Sequence, residues 1–168
     1  GRVLDVNKIQ FVLASVNAPD QLTREIFDEL DRLRSAGHEI AANNELYEEL
    51  AIQGAFDPPQ IIFIKRLLQR ELPQDLRTRI VDVLFKRHVT ENELAFAREL
   101  YVNEEQLRMM VRYGMIIGSH GCEHLWMNTL SPEQQRGEVE ASLEFMQSIG
   151  VPSDDWLMCY PYGAHDES

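Results

Sequence analysis

The sequence has no apolar run approaching the ~20 residues that cross a bilayer as a helix, so no membrane-spanning helix is expected. It has no block of Lys and Arg either. With 28 acidic residues against 16 basic ones the formal charge is −12, and nothing in that balance suits a surface built on phosphate contacts. The nearest basic stretch, "KRLLQR" at Lys65 to Arg70, has helical spacing and reads as a solvated face. Nucleic acid is therefore not an expected partner. Cysteine is scarce: Cys122 and Cys159 are too few for a disulfide-dense secreted framework and read as two buried free thiols. No repeat, low-complexity tract or linker interrupts the chain, and nothing near the start has the charged, apolar and small-residue sections of a leader. A cytoplasmic setting is the expectation, although Gly1 is not an initiator residue and the native start is expected upstream of it or already removed. What is present, 168 residues with 44% hydrophobic content, suffices for one domain with a real core.

Up to Gly114 the pattern is helical. Val6, Ile9, Leu13 and Val16 follow Asp5, a candidate N-cap, and "PDQLTREIFDELDRLRSAG" carries the stripe Leu22, Ile26, Leu30 and Leu33 with Gly37 as its stop. "NNELYEELAIQ" suits a short third helix. "DPPQIIFIKRLLQREL" suits a fourth, capped by Asp57, because the period continues from Ile61 to Ile64 into Leu67 and Leu68. Leu76, Ile80, Val83 and Leu84 mark a fifth, Thr90 and Glu93 read as a capping box for a sixth, and Asn103 starts a seventh that Gly114 ends.

At Gly114 the character changes. "MIIG" is a short apolar run leading into Ser119 and His120, as a buried strand would. Ser131, Pro132 and Gln134 open a helix with Val139, Leu143 and Phe145 or Met146 inward, ended by Gly150 and Pro152, and "WLMCYPYG" reads as a second strand closed by a Pro/Gly turn. Strand, helix, strand is the unit of a parallel α/β sheet, whose functional loops lie at the C-terminal strand ends, where His120 and the Pro161-Tyr162-Gly163 turn fall. Two strands do not complete such a sheet, so the chain reads as a fragment of a larger fold: a helical region over residues 1–114 and a partial α/β core over 115–168.

His120 and His124 lie four apart, and on a helical turn two such imidazoles share a face and reach one divalent ion. The same spacing also fits two loop histidines that happen to fall close together. Between them, Cys122 and Glu123 are expected to point away, though a thiolate could join an incomplete zinc site. His165 could approach the same point or be an exposed loop residue, and Asp154, Asp155 and Asp166 are candidate bases whose plainer roles are capping and solvated loops. Trp126 could stack on a sugar ring or pack beside the helix start, while His38 and His88 sit where helices end.

"SHGCEH", then "LWMNTLSPEQQRGEVEASLEFM", then "YPYG" resembles the second and third motifs of the polysaccharide deacetylases, the NodB-type carbohydrate esterases. The resemblance implies a distorted β/α barrel of which this predominantly α chain is a piece, with residues 1–114 as a large, mainly helical insertion. It implies His120 and His124 as ligands of a divalent metal, usually zinc. A groove including Pro161, Tyr162, Gly163 and Trp126 would take an acetylated polysaccharide or sugar, and the Tyr162 backbone N–H would hold an oxyanion. The implied activity is hydrolysis of N-acetyl groups. The departures are equally specific: no T-F-D-D-G segment occurs, so the third metal ligand and the general base are not in this chain, and a later histidine motif is missing. Cys159 stands where the family often has arginine, and Gly121 where it often has serine or threonine. The chain alone is expected to be inactive. A different class remains open, a non-catalytic helical interaction or regulatory module with a degenerate metal site. Self-association through the helical region is a further open expectation.

Overall fold

The computed structural model describes residues 2–152, 154 and 156–163. The chain forms two compact units, Gly1–Phe96 and Ala97–Ser168. No helix among the described residues is long and apolar enough to cross a membrane.

The first unit is helical throughout. Its elements are α1 (Asp5–Ser15), α2 (Pro19–Ser35), α3 (Asn43–Leu50), α4 (Pro59–Arg66), α5 (Gln74–His88) and the start of α6 (Glu93–Leu100). The expected stripe of α2 is buried at Leu22, Ile26, Leu30 and Leu33, and Gly37 closes it at φ +95°, a left-handed conformation that favours glycine. The run Ile61–Ile64 is helix, as its period indicated. After Arg66 the coil widens into a single π turn, Leu67–Glu71, which keeps Leu67, Leu68 and Leu72 all buried. Three local readings differ. Asp5 lies in the first turn of α1 with Leu4 at the cap, Asp57 pairs with Lys65 at 2.7 Å instead of capping α4, and the buried face of α1 is Lys8, Ile9 and Val12, with Val16 beyond the helix.

Lys8 is the least expected of these. Its side chain is 1% exposed, and its ammonium lies 2.5 Å from Asp82, 2.8 Å from Glu93 and 5.5 Å from the centre of the Phe85 ring. A buried cation is tolerable only when paired and hydrogen-bonded, and here two carboxylates meet that need. The engagement of Glu93 also explains why it forms no capping box with Thr90. Its carboxylate takes the Val3 amide at 2.8 Å, and Asn92 accepts from Ala95 N at the start of α6. Burial pushes the Glu93 pKa up, but Lys8, the Val3 amide and Arg2 outweigh it and hold the group below its ordinary 4.5.

The second unit carries the remainder of α6, then α7 (Glu104–Arg112) and α8 (Pro132–Ser148). Both later helices begin with reciprocal caps: Asn103 Oδ1 accepts from Gln106 N at 2.9 Å, and Ser131 Oγ from Gln134 N at 3.3 Å, with each glutamine returning a bond. Met146, Ile149 and Val151 form the core, with Leu107, Val111, Ile117 and Trp156 packed on it. Phe145 is the outward one of the expected pair, at 44% exposure.

The two expected strands are reduced to one parallel bridge, Ser119 with Met158, and no longer strand forms among the described residues. Ser119 N donates to Leu157 O at 2.8 Å and Cys159 N to Ser119 O at 3.0 Å. A parallel ladder of two short segments gains little, because it lacks the flanking strands that complete pairing and cover the faces of a parallel sheet. Ile116 and Leu157 are accordingly 80% and 60% exposed. Gly118 permits the approach: a Cβ there would lie 3.1 Å from Leu157 O and 3.4 Å from Leu157 Cβ.

Two outcomes are expected. Lys8→Met should destabilise the first unit by about 1–2 kcal/mol in urea unfolding. A lowered carboxylate stabilises above its unfolded value and loses that contribution as pH falls through the folded one, so the wild-type acid-side loss below pH 4.5 should become shallower in the variant. Gly118→Ala should cost the second unit about 1–2 kcal/mol by forcing the paired segments apart, read from tryptophan fluorescence during unfolding.

Candidate metal centre

The bridge brings together two chain segments, and the site stands where they diverge. His120 follows Ser119 directly, and its Nδ1 lies 2.8 Å from the carbonyl oxygen of Cys159. A carbonyl only accepts, so the Nδ1 proton is held there and the Nε2 lone pair is left outward, the arrangement by which a neighbouring acceptor orients a metal-binding imidazole.

His124 reaches the same place by a different local route from the helical turn that its spacing suggested. Residues 120–126 are not helical: the chain reverses through Gly121 at φ +77° and His124 itself at φ +54°. The two rings end with centroids 4.8 Å apart and planes at 74°. His124 Nδ1 is buried and bonds to no other described residue. Burial, and then the neighbouring His120, lower its pKa from the ordinary 6.5, so this imidazole stays neutral further into acid and keeps the lone pair of its unprotonated nitrogen.

The turn Pro161–Gly163 closes against this pair. Tyr162 holds φ +58°, its ring stands edge-on to His124 at 4.7 Å, and Trp126 stacks on its other side at 4.3 Å with planes 4° apart. His124 and Tyr162 are the two non-glycine residues with positive φ among those described, and they touch. Left-handed backbone at a side-chain-bearing residue costs energy and persists where its surroundings over-determine it. Trp126 is thus packed by one face on Tyr162.

The remaining candidates divide. Cys122 and Cys159 are exposed, contrary to the expectation of buried thiols, because both occupy the loop ends at the bridge and not the core behind it. Burial and the neighbouring Glu138 and Glu123 carboxylates push the Cys122 thiol up from its ordinary value. No group of three His, Cys, Asp or Glu side chains suited to a metal forms among the described residues. Asp154 is exposed, and Asp155, His165 and Asp166 lie outside the described residues. His88 ends α5 and pairs with Glu25 at 2.7 Å, within the helical unit. Among the described residues the donor set therefore fits two of a metal's protein ligands, with no carboxylate grouped beside them.

Two residues with no local sequence signal hold this loop from beneath. Glu138 Oε2 accepts from Cys122 N at 2.7 Å and Glu123 N at 3.2 Å, and Ser142 meets Ser119 Oγ at 2.9 Å in a buried pair. Both lie on α8, four residues apart.

The family model of polysaccharide deacetylase matches residues 71–168, more than half of the chain, which therefore belongs to that family. The Bacillus subtilis protein named "Putative polysaccharide deacetylase YxkH" is 31% identical over 67 residues, 40% of this chain and 24% of that relative. The chain thus spans about a quarter of the length of the curated relative it matches. No solved structure matches it.

In the metal-free protein, the His124 ring should titrate below 6.5 by NMR. Between that midpoint and 6.5 the unfolded imidazole binds the proton more readily, so this group's contribution to stability rises with pH over the window. His120→Phe, which keeps an aromatic neighbour and removes its charge, should move the midpoint up without restoring 6.5, because burial remains.

Proposed function

We propose that this chain is the part of a metal-dependent N-deacetylase of polysaccharides or sugars that carries two metal ligands and one wall of the substrate groove. The observation that carries this is the convergence of His120 and His124, 4.8 Å apart, beside the Pro161–Gly163 turn, with His120 Nδ1 committed to the Cys159 carbonyl. Residues 115–168 belong to the catalytic core in this reading and 1–114 to a helical insertion, although the family match begins at residue 71, within that helical part. The barrel that completes the core is implied by family membership.

A divalent ion, with zinc the expected one, supplies Lewis acidity to water and to the acetamide carbonyl when bound. His120 and His124 hold it through neutral imidazoles. The Tyr162 backbone N–H donates to the oxyanion that develops on the former carbonyl oxygen, an interaction strongest in the transition state. Pro161 and Gly163 shape the turn, and Trp126, stacked on Tyr162, lines the groove beside it. The carboxylate that completes the ligand set and the base that accepts the water proton come from outside these 168 residues, since no T-F-D-D-G segment occurs in them. Acetate and a free amine are the products.

In the intact protein, His120→Ala and His124→Ala should each lower both zinc content and acetate release from acetylated oligosaccharide by at least about a hundredfold. Full activity in either variant, or no metal in the wild type, overturns the reading. The 168-residue chain by itself should release no acetate, and measurable release would show that the base lies within it. The second reading, a non-catalytic helical module, is favoured by the self-contained helical core of the first unit. Metal-dependent acetate release by the intact protein would exclude it.

A further inference from the structure

We infer that Glu138 is a positioning residue for the metal centre: its carboxylate, presented by α8, sets the loop that carries His120 and His124. This rests on those histidines being metal ligands. Three consecutive backbone amides lie between the two rings, and each has a fixed acceptor. Gly121 N donates to Ser119 Oγ at 3.2 Å, while Cys122 N and Glu123 N converge on the single oxygen Oε2 of Glu138 at 2.7 and 3.2 Å. Successive N–H groups turned toward one point form an anion-binding concavity, and here a side chain of the protein fills it.

The residue after the first histidine fits this arrangement. A Cβ at position 121 would lie 3.1 Å from Glu138 Oε2 and 3.7 Å from Pro161 Cγ, on a backbone already at φ +77°. Glycine at 121 lets the carboxylate and the proline ring close on the loop together, which gives a physical reason for its presence where the family often has a hydroxyl residue. One turn further along α8, Ser142 Oγ meets Ser119 Oγ, so the helix holds the loop at two heights. No other described residue accepts from the Cys122 or Glu123 amide.

Because one oxygen takes both amides, reach and accepting power can be separated from charge. In the intact protein, with zinc as the probe and a chelating dye as competitor, E138A should weaken zinc binding about tenfold or more. E138D keeps the charge but retracts the carboxylate by one methylene, and should fall with E138A. E138Q keeps an accepting oxygen at the same reach and should stay within about fivefold of wild type. Wild-type affinity in E138A and E138D, or an E138Q as weak as E138A, overturns the inference. Absence of zinc from the wild type would instead remove the metal reading. The brace then stands or falls by amide exchange: faster exchange at Cys122 and Glu123 in E138A with α8 helicity unchanged supports it, and equal exchange overturns it.

Discussion

Everything at the candidate site hangs on two backbone hydrogen bonds, Ser119 N to Leu157 O and Cys159 N to Ser119 O. They pin together stretches of chain separated by the whole of α8. The next residue on one side is His120 and the next carbonyl on the other is that of Cys159, which takes the His120 ring. Without that pairing the imidazole would have no fixed tautomer, the Pro161–Gly163 turn would have no reason to lie beside His124, and Tyr162 would lose the ring contacts on both its sides. The bridge is short because Gly118 allows backbone to meet backbone, so a single absent Cβ sets the spacing of the site.

The structure around this bridge is asymmetric in how it is stabilised. The helical unit has a continuous apolar interior from Ile9 to Phe85 and can afford a buried ammonium at Lys8 answered by two carboxylates. The second unit has a much smaller core and relies on polar devices: reciprocal caps at Asn103 and Ser131, the Ser119–Ser142 pair, and the Glu138 carboxylate under the histidine loop. Local backbone strain at His124 and Tyr162 is concentrated where those devices meet. Strained conformations in contact at a cluster of imidazoles are what a site shaped for ligand binding, more than for stability, would contain.

What the sequence disclosed follows the range of the interactions concerned. The helices, the caps Asn103/Gln106 and Ser131/Gln134, and the stop at Gly37 depend on residues within a turn or two of one another, and they were legible. Thr90 and Glu93 have the same capping pattern, but Glu93 is claimed by Val3 and Lys8, about ninety residues away in the chain, and no local pattern encodes that competition. The strands failed for the same reason, since pairing depends on neighbours the local sequence does not specify. The histidine pair was found through its spacing and the motifs around it, yet its reason for meeting is a loop with two positive-φ residues and not a helical face. Glu138 and Ser142 were invisible as site residues because each is an ordinary polar side chain until the fold places it beneath the loop.

Ile116 and Leu157, exposed on the outer sides of the bridged segments, have a colloidal consequence. Exposed apolar side chains on extended segments are surfaces through which chains adhere. Mutual repulsion opposes that contact, and at neutral pH the charge of −12 supplies it. The protection is a property of the solution and not of the surface: it shortens its range with added salt and vanishes near the isoelectric point of 4.8. Mild acid and high ionic strength are therefore the conditions that should favour association of this chain through these side chains.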